Sequence, residues 1–172
     1  MRIIRANIKD ALSIFKIEKN NFTTDAWTVS QWENEFKDNK FSIIYLLKDK
    51  EEVIGYIDFW IMFEQATIAK ICIKKEYTNK GLGDKLLKRC LKTIDKKNCL
   101  STSLEVRVSN INAINLYKKN DFKIIHDPKT GRITNIETLD RDGQGVNYRD
   151  ANPKEVIELL KNGMQNGDIS KN

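Results

Sequence analysis

"ICIKKEYTNKGLGDKLLKRCL", residues 71–91, sets two glycines between a strand-like run and a leucine-rich amphipathic one. Leu86, Leu87, Cys90, Leu91 and Ile94 recur at helical spacing, so a helix is expected to open directly after the glycines. A strand feeding a glycine turn that opens a helix is an anion site. Unpaired backbone N–H groups converge there, the helix dipole adds partial positive charge, and glycine lets an oxygen come close to the backbone. The pattern is not G-x-G-x-x-G, because Leu86 stands at the third glycine position. It is not a Walker loop either, since no Gly-Lys-Ser/Thr follows. On these residues alone two readings stand: an ordinary glycine-preceded helix start, and a cradle for a phosphate.

Working outward, "MRIIRA" reads as a first strand and "IKDALSIFKIEKNNF" as a helix with Ala11, Leu12, Phe15 and Ile17 at helical spacing. "TVSQWENEFKD" is a second, shorter helix, with Ser30 as N-cap and Glu33 in capping-box position. "FSIIYLLKDKEEVIGYIDFWIMF" gives two strands joined by a turn at "KDKEE", and "ATIAKICIKK" a third that borders the glycine loop. After the leucine-rich helix, "STSLEVRVS" is strand-like, "NINAINLYKKN" helical and "FKII" a strand. The order β-α-α-β-β-β-α-β-α-β predicts an α+β domain, an α/β sandwich around a mixed sheet. We place that domain at residues 1–139. In 140–172 we expect a glycine-rich loop, then a helix punctuated by Asn152, Pro153 and Gly163, and a frayed tail.

Composition narrows the function. The 172 residues carry a formal charge of +6, with lysines far outnumbering arginines and spread along the chain rather than blocked together. Without an aromatic–basic stacking motif, direct nucleic-acid binding is not expected. No apolar run approaches the roughly 20 residues of a membrane span, and the start lacks the apolar region of a secretory signal. The expected home is the cytoplasm, with no membrane partner. Cys72, Cys90 and Cys99 have neither an even count nor CxxC spacing, so no disulfide framework and no metal site are expected. Cys90 belongs to the apolar helix stripe, and His126 to a turn after "FKII" rather than to a cysteine–histidine pair.

The segment "LEVRVSNINAINLYKKNDF", residues 104–122, together with "TNKGLG", resembles the GNAT N-acetyltransferase superfamily, and within it the RimI type, which acetylates the N-terminal alanine of a ribosomal protein. The family's loop, Gln/Arg-x-x-Gly-x-Gly/Ala, is matched in register except at Thr78. The later signature is matched from Leu104 to Phe122, with Ala113, Ile114, Leu116 and Tyr117 in place, and "IEKNNF…W" near the N-terminus is similar as well. The resemblance covers residues 2–125. It implies a mainly antiparallel mixed sheet flanked by helices, with acetyl-CoA as cosubstrate and no metal. It implies Ile71, Cys72 and Ile73 as backbone partners of the pantetheine arm. Asn79, Lys80, Gly81, Leu82, Gly83 and Asp84 would wrap the pyrophosphate, and Asn110 would lie beside the cofactor's far end. Glu105 matches the family's general base and Tyr117 its general acid. The implied partner is a protein N-terminus, with a lysine side chain or polyamine as the other acceptor, in a monomer or homodimer.

The residues also stand without the resemblance. A period of two puts Thr102, Leu104, Val106 and Val108 on one strand face and Ser103, Glu105 and Arg107 on the other. Glu105 there fits either a positioned base or a solvated polar face. Acetyl transfer to an amine needs a proton acceptor, a donor for the oxyanion and a proton for the departing thiolate. A carboxylate, a backbone N–H near Cys72 and a phenol meet those needs. Three departures from the family pattern matter. Thr78 predicts weaker cofactor affinity, "HDPKTGRITNIETLDRDG" alters the region that helps form the acceptor groove, and 140–172 has no counterpart.

Overall fold

The computed structural model describes residues 1–22, 26–107, 109–126 and 132–138, and the expected helix at 152–163 lies outside them. The chain divides into two compact units, Met1–Leu104 and Glu105–Asn172. In the first, β1 (Arg2–Arg5), α1 (Ala11–Asn21), α2 (Val29–Asp38), β2 (Ser42–Asp49), β3 (Glu52–Met62), β4 (Gln65–Ile73) and α3 (Leu82–Lys96) follow one another. The strand β5 (Ser101–Arg107) then crosses into the second unit, which holds α4 (Ile111–Lys119), β6 (Ile124–His126) and β7 (Arg132–Thr138).

Strands β1 to β4 pair antiparallel in chain order, and β4 pairs parallel with β5 from Gln65↔Ser101 to Ile68↔Leu104. The result is the expected mixed, mainly antiparallel sheet flanked by helices. Helices cover both faces. Ala11, Ile14 and Ile17 of α1 and Trp32 of α2 pack with Ile44, Leu46 and Tyr56. Tyr45, between Ile44 and Leu46, faces the other way, and its hydroxyl lies 3.0 Å from Thr93 of α3. Alternation along a strand sorts these neighbours to opposite faces. Trp32, Tyr56, Phe59, Leu86 and Leu87 are fully buried, each large side chain contributing on the order of 1.5–3 kcal/mol.

Three expectations for these elements are corrected. Helix α2 starts two residues early: Thr28 is the N-cap, its Oγ1 accepting from Gln31 N–H at 3.2 Å while Gln31 accepts from Thr28 N–H at 2.8 Å. Both Thr28/Gln31 and Ser30/Glu33 fit a capping box. The earlier start adds Val29 to the Trp32 and Phe36 face that packs on the core. In α1 it is Ile14, not Leu12, that faces inward, with Leu12 50% exposed. Finally, β7 was not anticipated, and His126 ends β6 rather than lying in a turn; the two strands pair antiparallel from Ile124↔Asn135 to His126↔Ile133. "RITNIET" lacks strict apolar alternation, and its β-branched richness was the readable signal.

Candidate active site

Strand β4 is shaped for more than sheet pairing. Asp58 pairs with Lys70 but Phe59 with Ile68, so Ala69 is an extra residue, a β-bulge that re-aims the strand. The parallel ladder pairs Gln65 through Ile68 with Ser101 through Leu104 of β5, and β4 itself runs on through Ile71, Cys72 and Ile73. On its other side, Gly55 lets this last stretch come close. A Cβ at residue 55 would meet Ile73 Cδ1 at 2.5 Å and the Cys72 carbonyl oxygen at 2.9 Å. Cys72 itself is buried, and desolvation with the nearby Glu18 charge pushes its thiol up to about 12. A thiolate nucleophile is therefore not on offer at neutral pH.

After β4 the chain makes a short 3-10 turn at Lys75–Tyr77 and enters the glycine loop. Thr78 Oγ1 donates to the Lys75 carbonyl at 2.7 Å, so its proton is held inside the loop. Asn79 and Gly81 adopt left-handed backbone, φ 59° and φ 72°. Lys80 folds back, Nζ donating to the Glu76 carbonyl at 3.0 Å and lying over the Tyr77 ring. Helix α3 then begins with no side chain capping its first turn. Around Gly81 a Cβ would meet nothing within 4 Å. The cradle is therefore open, with the N-terminal amides of Leu82, Gly83 and Asp84 at a positive helix end. The Asp84 carboxylate is turned to Lys88 at 2.9 Å, which offsets its charge. These features fit a pyrophosphate.

In the second unit, Glu105 and Arg107 are on the exposed face of β5 while Val106 is buried. Within the first unit, Thr102 and Leu104 are buried and Ser103 is half-buried, which is the alternation expected from sequence. Asn110 N-caps α4, its side chain accepting from Ala113 N–H at 3.2 Å. Tyr117 is 5% exposed and its ring packs on Phe122 with centroids 5.8 Å apart.

One cluster escaped the sequence reading. Glu18, fully buried in α1, accepts from four donors. Trp27 N–H (2.6 Å) and Trp32 Nε1 (3.3 Å) reach one oxygen, Tyr56 Oη (2.5 Å) and Lys70 Nζ (2.8 Å) the other. The Lys70 ammonium also lies 4.7 Å from the Trp27 ring centroid. Glu18 follows Ile14 by four residues, so a carboxylate on the apolar stripe was the available signal. The network ties the end of α1 and the start of α2 to β3 and to the bulged part of β4.

Residues 9–122 match the family model of the acetyltransferase (GNAT) family. The chain belongs to that family. A GNAT relative from Bacillus subtilis, named as a candidate ribosomal protein bS18-alanine N-acetyltransferase, is 33% identical over 112 residues, 65% of this chain and 74% of its own. A spermidine N(1)-acetyltransferase from Thermoplasma acidophilum is 35% identical over 72 residues, 42% of this chain and 45% of its own. Among solved structures, the ribosomal-protein-S18-alanine N-acetyltransferase from Escherichia coli superposes with TM-score 0.71 at 21% identity, covering 84% of this chain and 97% of that one. The PaiA N-acetyltransferase of Thermoplasma acidophilum, solved with coenzyme A, gives TM-score 0.66 at 20% identity, covering 80% and 98%. At those identities the two structures bear on the fold, which is the GNAT acyltransferase fold. Among the described residues, no group of three or more His, Cys, Asp or Glu is placed to hold a metal, and no helix is long and apolar enough to cross a membrane.

Proposed function

We propose that the protein moves an acetyl group from acetyl-CoA to a primary amine by direct attack, with the N-terminal alanine amine of a ribosomal protein as acceptor. The observation that carries this reading is the open, glycine-backed N-terminus of α3 at the end of a bulged β4. The Bacillus subtilis relative supports the acceptor. Asn79 to Asp84 hold the pyrophosphate through backbone N–H groups, and the backbone of Ile71 to Ile73 pairs with the pantetheine arm. A β4 N–H near Cys72 supports the oxyanion. Thr78, with its proton already donated inward, adds little to phosphate binding.

In the transfer, the amine nitrogen bonds to the thioester carbon and the C–S bond breaks. Glu105 takes the proton that the amine loses, directly or through water, and Tyr117 supplies the proton that the thiolate needs. An N-terminal amine, with a pKa near about 8, gives up its proton more readily than a lysine near about 10.4. Asn110 borders the cofactor's far end. Backbone amide, carboxylate and phenol chemistry suffices, with no covalent enzyme intermediate.

The test is a competition among an alanine-first ribosomal-protein peptide, N-blocked lysine peptides and polyamines, read by mass spectrometry. Acetylation of the alanine amine alone is expected. Acetylation of another amine instead overturns the acceptor and leaves the chemistry. The substitution Glu105→Gln is expected to lower kcat about a hundredfold or more while leaving acetyl-CoA affinity within about twofold, carboxylate and amide being isosteric at this exposed position. Equal rates from pH 6 to 9 (about two units around a typical amine pKa) remove Glu105 from the mechanism.

A further inference from the structure

The concave surface beside α2 has no part in the steps above. An open cavity of about 640 Å3 is lined by Trp27, Gln31, Asn34, Glu35 and Phe41, with Asp38 and Lys40 at opposite sign among its exposed members. A second cavity of about 410 Å3 shares Glu35 with it and includes Ser42. The net charge of the larger lining is therefore that of Glu35. This carboxylate is 9% exposed, and its Oε1 accepts from two neutral donors, Trp60 Nε1 and Asn39 Nδ2, both at 2.7 Å. None of the ion pairs found among the described residues includes Glu35.

A second buried carboxylate lies close by. Asp58 is fully buried, one oxygen accepting from the Ser42 hydroxyl at 2.9 Å and the other, Oδ2, without a hydrogen-bond partner. Burial and the Glu35 charge together push its carboxyl up to about 7. The cation opposite Asp58 in the sheet is Lys70, whose ammonium is already in an ion pair with Glu18 at 2.8 Å. Among the described residues, Glu18, Glu35 and Asp58 are the buried carboxylates of this face; Lys70 pairs with the first, and the third keeps its proton up to about 7. Buried anions without counter-charge are costly, and a carboxylate between aromatic walls is the chemistry that takes up an alkylammonium or guanidinium.

Position gives the cavity its meaning. Trp27, one of its walls, donates its backbone N–H to Glu18 and carries Lys70 Nζ over its ring at 4.7 Å. Lys70 directly precedes Ile71 in β4. The cavity and the strand that presents the thioester are thereby joined through one tryptophan.

We infer that this cavity is a subsite for a second cationic group of the acceptor, carried beyond the reacting amine and held by Glu35 between the Trp27 and Phe41 rings. The inference rests on the N-acetyltransferase reading and names the substrate class within it. The cation has two sources with the same chemistry: a basic residue after the acetylated amine of a peptide, or the second ammonium of a polyamine.

The experiment compares matched acceptors with the full chain: an alanine-first peptide with arginine or norleucine at its second position, and spermidine against butylamine. Wild type is expected to favour the cationic member of at least one pair through a lower KM. Glu35→Gln, which keeps an oxygen for Trp60 and Asn39, is expected to shrink that kcat/KM ratio about tenfold or more, as for loss of a charged hydrogen bond. The pair that responds identifies the source. A ratio near one in wild type, or one unchanged in the variant, overturns the subsite. If no acceptor is acetylated, the activity reading fails, and calorimetry of spermidine and the arginine peptide decides the subsite alone. Tighter binding to wild type than to Glu35→Gln supports it, and equal or absent binding overturns it.

Discussion

Glu18 carries four hydrogen bonds at full burial, and each of its donors belongs to a different residue of the first unit. A buried ion pair of this kind adds little net stability over a well-packed apolar substitute, but removing one partner leaves the other charge stranded. Truncation by Glu18→Ala should therefore cost about 3–5 kcal/mol in urea unfolding, in the range for breaking a buried pair. A cost below about 1 kcal/mol would mean that water or another group takes over the Lys70 ammonium. The sequence shows why this residue is hard to read: helical spacing says which positions face inward, but a carboxylate there names no partner. Tyr56 and Lys70 are far along the chain and meet Glu18 only through sheet register. Glu105 is the opposite case, since strand alternation alone assigns its face.

Among the elements, the loop into α3 is where local sequence has most control. Left-handed backbone at Gly81, φ 72°, costs nothing for glycine, and the space around it is open. Gly81→Val should thus be penalised by backbone strain of about 1–3 kcal/mol rather than by clashes. Its side chain would also stand in the cradle, so acetyl-CoA affinity should fall about tenfold or more while the melting transition stays cooperative (one factor of ten being about 1.4 kcal/mol). Unchanged affinity by calorimetry would remove the cradle assignment. The bulge at Ala69 is a different kind of feature. Nothing in "ATIAKICI" marks an extra residue, because the offset exists only against β3.

At the scale of the whole molecule, pH reports on the buried acids. Asp58, facing Glu35, Ser42, Trp60 and Lys70, is raised from 3.8 to about 7, mainly by burial. The native state therefore keeps a proton that the unfolded chain releases near 3.8. Between those values the native state binds more protons, so this group's stabilisation is complete below the lower value and lost as pH rises through about 7. The unfolding free energy of Asp58→Asn, measured against wild type, should shift in the variant's favour by about 2–4 kcal/mol between pH 4 and pH 8. A constant difference would show that Asp58 has the same charge in both states across that range.

The sequence by itself determined the element order through β6, the glycine loop that opens α3, and the alternating faces of β5, because these depend on local periodicity and backbone freedom. It also carried the family signature in residues 104–122. Tertiary structure decided the β4 bulge, the antiparallel pairing of β6 with β7 and the gathering of Glu18, Glu35, Asp58 and Lys70 on one sheet face. Register and burial create those features. A charge acquires its partner and its cost only when distant strands and helices bring it out of water.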